Sequence, residues 1–233
     1  MTLPVMTTPE YSCTIPSTGQ QIKYRPFLVK EEKILLMAQE GGDKAGQITA
    51  VAQILAACIL TDGIEIAKLA TFDIEYLFMK LRAKSVGELV ELSLGHTDTE
   101  GECKHRTKVS VNIDNIEITD TKIETKIMLT DELGVVMKYP TFQDVAVVGD
   151  DDATIMFKTI INCIDYVFDQ ETVYNDFTRD EMETWTEGLN QQQFSKLIDF
   201  LKNLPQLTKK IEWACSECNQ KDELVLQGLS SFF

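Results

Sequence analysis

The stretch KIEWACSECNQKDELVLQ, residues 210–227, decides the fold, because it joins two short strands through a pair of cysteines. We interpret Lys210–Ala214 and Glu223–Gln227 as these strands, which form a hairpin. Cys215 and Cys218 lie in its turn. A Cys-x-x-Cys spacing on a turn directs two sulfur atoms toward one point and provides half of a tetrahedral zinc site. The other ligands should therefore lie on a similar turn elsewhere in the chain.

The second turn is expected near the histidines. His96 and Cys103 bracket the connection between two central strands, His105 follows at once, and the chain has no other histidine. We therefore predict His96, Cys103, Cys215 and Cys218 as ligands of a structural zinc ion, with His105 as the alternative to His96. An empty site and a redox role for the cysteines are the competing interpretations. A strand rather than a helix N-terminus precedes Cys215, which disfavours redox chemistry.

The order of the predicted elements indicates an α+β protein. Its N-terminal helical bundle carries a hairpin, its central β part resembles a zinc ribbon, and its C-terminal helices return to the β part. The predicted subregions are an arm and hairpin (1–27), a helical part (28–85), a β part (86–140), a second helical part (150–205), and the CxxC hairpin with the C-terminal tail (206–233). Because the zinc site joins residues near 100 to residues near 216, we expect one interlocked domain over residues 1–233.

Apolar periodicity places several helices within this order. One begins after residues 149–152 and carries six apolar side chains on one side: Phe157, Ile160, Ile161, Ile164, Val167 and Phe168. Two capping boxes predict the starts of the next helices, Thr178 with Glu181 and Asn190 with Gln193. Cys58 and Cys163 fall within helical apolar patterns and are predicted to be small core residues.

Composition narrows the classes of partner. Lys and Arg number 22 and Asp and Glu 37, a net charge of −15. This charge repels phosphate backbones and anionic membranes, so we expect neither nucleic acid nor membrane as a partner. Six cysteines in 233 residues are too few for a disulfide scaffold and suit a reducing cytoplasm. No HExxH, GxSxG, P-loop or GxGxxG motif occurs, so catalysis is not supported.

Several ordered segments together resemble one family, the baseplate hub assembly proteins of T-even-type (T4-like) contractile-tailed bacteriophages. They are IPSTGQ (15–20), YRPFLVKEEKILLMA (24–38), FDIEYLFMKLRAKSVGE (72–88), YPT (139–141), residues 178–189, the Cys215/Cys218 turn and GLSSFF (228–233). Members of that family carry a paired-cysteine knuckle on the first turn, where this sequence has His96 and a longer loop.

The resemblance implies a non-enzymatic late protein that promotes assembly of the baseplate central hub. Its partners would be other phage hub and tail proteins, with a tape-measure protein as a further candidate, in the host cytoplasm and then in the virion tail baseplate. A transient assembly chaperone absent from the mature virion is the alternative, and a zinc- or thiol-dependent enzyme the third. Candidate contact residues are Arg25 and Phe27, beside an apolar helix face, and the terminal aromatics Phe232 and Phe233.

Overall fold

A computed structural model of the protein describes residues 6–41, 44–95, 103–119, 123–145 and 152–228. Within these ranges it is a mixed α/β protein with several small antiparallel sheets. The helices are α1 (Val29–Gly41), α2 (Lys44–Cys58), α3 (Thr71–Ser85), α4 (Phe142–Val145), α5 (Asp152–Cys163), α6 (Arg179–Glu187) and α7 (Gln191–Lys202). The strands are β1 (Tyr11–Thr14), β2 (Gln21–Tyr24), β3 (Leu89–Leu94), β4 (Thr107–Asn112), β5 (Glu117–Ile118), β6 (Lys126–Met128), β7 (Gly134–Met137), β8 (Ile164–Phe168), β9 (Val173–Tyr174), β10 (Leu207–Ala214) and β11 (Lys221–Gln227).

The N-terminal part contains the predicted β-hairpin and helices, and the hairpin packs on α2 and α3. Gly19 has a φ of +71°, which permits the tight turn between β1 and β2. The apolar faces of the hairpin and helices meet in a first core that includes Ile15, Ile22, Ile54 and Phe78. Cys58 lies in this core and is fully buried, which confirms its prediction as a small core residue.

Apolar alternation predicts strands at residues 88–94 and 108–113 and a hairpin of residues 125–129 with 135–139. These strands and the CxxC hairpin are confirmed in the described residues. β3 pairs with β4, β6 with β7, and β10 with β11, each antiparallel. β5, which the sequence pattern does not predict, pairs with the start of β10 through Leu207 and Ile118. A core formed by α3, β4, β10 and β11 holds the C-terminal hairpin against the middle of the chain, and its buried members are Met79, Ala83, Val111, Ile113, Ile116, Leu207, Ile211 and Leu226.

One helix prediction is wrong over its last turn. The helix expected to carry Phe157 through Phe168 ends at Cys163, and the next five residues form β8. In β8 the buried Ile164 and Val167 face the core while Asp165 is exposed, and the strand pairs with β7. The spacing of these apolar residues suits a helix and a strand equally well. Pairing with the distant β7 therefore decides that this segment forms a strand. Part of the range predicted as helical, 150–205, is therefore sheet.

The C-terminal helices cover the four-stranded sheet, whose strand order is β6-β7-β8-β9. Both predicted capping boxes are present: Thr178 with Glu181 begins α6, and Asn190 with Gln193 begins α7. A further core joins α5, α6 and α7 to the sheet and includes Val135, Ile160, Cys163, Met182 and Leu197. In the part of the chain that the structure describes, none of the helices has the length and hydropathy of a membrane span.

Candidate metal centre

The turn between β10 and β11 presents its two cysteines through local backbone hydrogen bonds. The N–H of Cys215 donates to the carbonyl of Gln220 (2.8 Å), and the N–H of Asn219 donates to the carbonyl of Cys215 (2.9 Å). Asn219 adopts a φ of +59°, a left-handed conformation that asparagine tolerates better than most residues. The turn therefore curls so that the side chains of Cys215 and Cys218 approach each other.

Cys103 reaches this turn from just before β4. Its Sγ lies 3.8 Å from Sγ of Cys215, and the sulfur atoms of Cys103, Cys215 and Cys218 all lie within 4.8 Å of one another. A hydrogen bond from the N–H of Ser216 to Oγ1 of Thr107 (3.0 Å) fixes the turn to the first residue of β4. The structure thus brings the thiol of Cys103 to the two thiols of a turn that follows it by more than a hundred residues.

The three thiols fit a tetrahedral metal ion. At a Zn–S distance of about 2.3 Å, two sulfur ligands of a tetrahedral site lie about 3.8 Å apart, which is the separation of Cys103 and Cys215. Backbone N–H groups of Cys218 and Glu217 donate to Cys215 and lower its pKa to about 6, which favours the thiolate that binds metals. Cys215 is buried, Cys103 half-buried and Cys218 exposed. This cluster could therefore hold a metal ion.

The thiol of Cys103 has the opposite tendency. The N–H of His105 lowers its pKa, but desolvation and the neighbouring thiols of Cys218 and Cys215 outweigh this effect, so that the pKa is raised. A closely spaced set of thiols cannot all lose their protons without mutual repulsion, and a cation placed among them removes this penalty. A cation at this position would therefore allow the three cysteines to bind it as thiolates.

His105 is not among the clustered ligands in the part of the chain that the structure describes. Nε2 of His105 lies 2.8 Å from Oγ of Ser216, so this ring contacts the turn beside the thiols. His96 lies outside the described residues. The choice between His96 and His105 as fourth ligand therefore stays a prediction.

The predicted contact residues Arg25 and Phe27 lie at the corner between β2 and α1, and both are largely inside the protein. Arg25 forms an ion pair with the buried Glu31 (2.9 Å) and donates to the carbonyl of Ala57 (3.0 Å). Phe27 is 8% exposed, and its N–H donates to Oγ of Ser85 (2.9 Å). Their role in partner contact stays a prediction.

Burial raises the pKa of Glu31, but hydrogen bonds from Arg25 and from the N–H of Leu28 more than offset this effect, so that the pKa of Glu31 is lowered overall. The charged pair therefore holds this corner together at neutral pH. The other two predicted contact residues, Phe232 and Phe233, lie outside the described residues.

Two surface features extend beyond the predicted contact residues. α1 exposes the large apolar side chains of Val29, Leu36 and Met37. Their spacing of seven and eight residues on one helix face is a signal that could have shown it. A cavity of about 450 Å³ opens beside α6 and the β8–β9 hairpin; its lining comes from three separate segments, so no local pattern reveals it.

The chain was compared with known proteins. No curated protein and no solved structure gives a significant match to it. A family model described as T4 bacteriophage base plate protein matches residues 8–233, almost the whole chain. This match confirms the resemblance on which the sequence-based expectation of a T4-like phage protein rests. The chain belongs to the family of T4 bacteriophage base plate proteins.

Proposed function

We propose that the chain is a non-enzymatic protein of the baseplate central hub that promotes hub assembly by contacts with other hub and tail proteins. The observation that carries this proposal is the family match over residues 8–233, which gives a structural or assembly role in the baseplate. The hub-specific part rests on the resemblance of the segments quoted above. A tape-measure protein is a further candidate partner. Assembly in the host cytoplasm and a final place in the tail baseplate complete the proposal.

The exposed face of α1 supports a role in protein contacts. The side chains of Val29, Leu36 and Met37 are 79%, 53% and 63% exposed, with the exposed charged residues Glu32 and Lys33 between them on the helix. We propose that a partner covers these large apolar side chains together with the charged ones. Arg25 and Phe27 lie at the start of the same helix, where they hold α1 against the core. We propose that they contribute to partner contact mainly by fixing this face.

The thiol cluster supports a structural zinc ion with Cys103, Cys215 and Cys218 as ligands, and His96, or alternatively His105, as the fourth. When bound, zinc would act as a cross-link between the β3–β4 and β10–β11 hairpins. Such a link couples the middle of the chain to its C-terminal part, which is the basis for proposing one interlocked domain over residues 1–233.

Phage that lack the chain test the assembly role. Infected cells should accumulate tails without complete baseplates, and the chain supplied from a plasmid should restore them. Normal baseplates without the chain would contradict the proposal. Quantitative mass spectrometry of purified virions then separates two versions of it: a stoichiometric amount supports a structural component, whereas absence from virions with defective assembly supports the transient chaperone.

A further inference from the structure

The cavity beside α6 combines an apolar floor with an acidic rim. It has a volume of about 450 Å³ and lies between α6, the β8–β9 hairpin and the turn that precedes β7. Its lining has two kinds of residue. The apolar and aromatic ones are Leu133, Val167, Tyr174, Phe177, Met182 and Trp185, and the acidic ones are Asp169, Asp176 and Glu181. A cavity of this size accommodates one or two side chains of a partner.

Hydrogen bonds fix two of the carboxylates in their charged form. Asp169 accepts from the N–H groups of Glu171 (2.9 Å) and Thr172 (2.7 Å) and from the hydroxyl of Tyr174 (2.8 Å). The N–H of Glu171 is the main cause of its lowered pKa, with the Tyr174 hydroxyl next. Glu181 accepts from the N–H of Thr178 (2.7 Å), which lowers its pKa in the same way. Both groups are therefore preorganised anions.

The acidic rim has no matching cation among the described residues. None of the ion pairs found there involves Asp169, Asp176 or Glu181. Arg179, the first residue of α6, is the nearest cation along the chain, and it is exposed and does not line the cavity. The site thus offers negative charge beside aromatic rings, and in the described residues no ion pair neutralises Asp169, Asp176 or Glu181.

We propose that this cavity binds a segment of a partner protein in which an arginine is next to a large apolar residue. The planar guanidinium matches carboxylate geometry and stacks on aromatic faces, so it can contact the rim and the rings at once. The apolar neighbour fills the floor. A chain with a net charge of −15 favours such basic segments at long range. The identity of the partner as a baseplate protein rests on the proposed function.

Binding can be measured on the full chain with 5-fluorotryptophan, because the chain has only two tryptophans. Trp185 lines the cavity and Trp213 lies in β10, so the second resonance is an internal control. The probes are acetyl-Leu-Arg-Leu-amide and its citrulline analogue, which has nearly the same shape without the charge. The arginine peptide should shift the Trp185 resonance saturably, and the citrulline peptide should bind about fivefold more weakly.

Matched variants separate the cavity from the overall charge. Asp176→Asn removes a rim carboxylate, whereas Asp180→Asn removes an equal charge from the exposed first turn of α6 outside the cavity. Asp176→Asn should weaken binding of the arginine peptide about threefold, and Asp180→Asn should leave its binding unchanged. Equal binding of both peptides, an unmoved Trp185 resonance, or equal effects of both variants would overturn the proposal.

The phage experiment distinguishes this failure from that of the proposed function. A chain with Asp176→Asn and Glu181→Gln keeps the capping box, because glutamine also serves at that position. Reduced baseplate assembly with this chain supports the cavity as a docking site. Full assembly overturns the docking site and leaves the hub role intact, whereas normal baseplates without any chain would overturn the hub role itself.

Discussion

Removing Cys215 should lower stability only when zinc is present. Cys103 and Cys215 are 112 residues apart in sequence, and closing a loop of that length in the unfolded chain costs about 4 kcal/mol. Zinc should therefore bind the three clustered thiols of the folded chain about a thousandfold more tightly than the same thiols in the unfolded chain. At saturating zinc, this difference corresponds to an increase in Tm of about 8 to 16 °C for a chain of this length.

The assay is thermal unfolding followed by circular dichroism, with and without zinc, together with elemental analysis of the purified protein. The wild type should hold zinc and lose the Tm increase on chelation, whereas Cys215→Ser should show the lower Tm under both conditions. Cys13→Ser is the matched control, because Cys13 lies in β1 outside the cluster and burial raises the pKa of its thiol to about 11. This variant should respond to zinc as the wild type does.

Three results would refute the reasoning. One is less than about 0.2 zinc per chain after expression with ample metal. Another is an equal Tm for wild type and Cys215→Ser in zinc. The third is a response of Cys13→Ser that matches that of Cys215→Ser, since this would assign the effect to general loss of thiols rather than to the cluster.

Other predictions concern the fold. Asp73 is fully buried and accepts hydrogen bonds from the N–H (2.9 Å) and hydroxyl (2.5 Å) of Ser17. In urea titrations, Asp73→Ala should therefore lower the unfolding free energy by about 1–3 kcal/mol, and Asp73→Asn should lower it by less. Burial raises the pKa of Asp114, but hydrogen bonds from Lys84 and Lys80 outweigh this effect, so that the pKa is lowered. Asp114→Asn should therefore lower the unfolding free energy by less than about 1 kcal/mol at pH 7. The difference in unfolding free energy between wild type and variant should vanish as the pH falls through the lowered pKa. Gly134→Ala would push a methyl group into the ring of Phe168 and should lower Tm by about 2 to 12 °C. An unchanged Tm for Gly134→Ala, a pH-independent Asp114→Asn effect, or equal losses for the two Asp73 variants would contradict these expectations.

Local signals in the sequence were sufficient for most elements. The apolar stripe Ile74, Leu77, Phe78 and Leu81 predicts α3, and the capping box at Thr178 predicts the start of α6, because both depend on residues within one or two helical turns. The β1–β2, β6–β7 and β10–β11 hairpins are predicted for the same reason, since each joins neighbouring strands through a short connection, whereas the connection between β3 and β4 is longer.

The errors occur where distant segments decide the structure. Ile164 and Val167 fit either a helix or a strand by spacing, and only the edge of β7, about 30 residues earlier, selects the strand. β5 is two residues long and exists through its pairing with β10, about 90 residues later. The candidate metal centre was accessible because CxxC is a local signal and Cys103 lies beside a predicted turn. The choice of the fourth ligand stays a prediction, because no local pattern separates His96 from His105 and His96 lies outside the described residues.

The position of the thiol cluster gives a physical reason for a metal ion there. On β4 burial decreases toward it: Val111 is buried, whereas Thr107 and Lys108, near the cysteines, are partly or fully exposed. On β10 the buried side chain of Trp213 lies close to the cluster, so β10 stays buried up to the turn and β4 does not. Metal ligation stabilises such a region independently of apolar burial. A zinc ion held by the three thiols would therefore link the exposed start of β4 to the turn after β10.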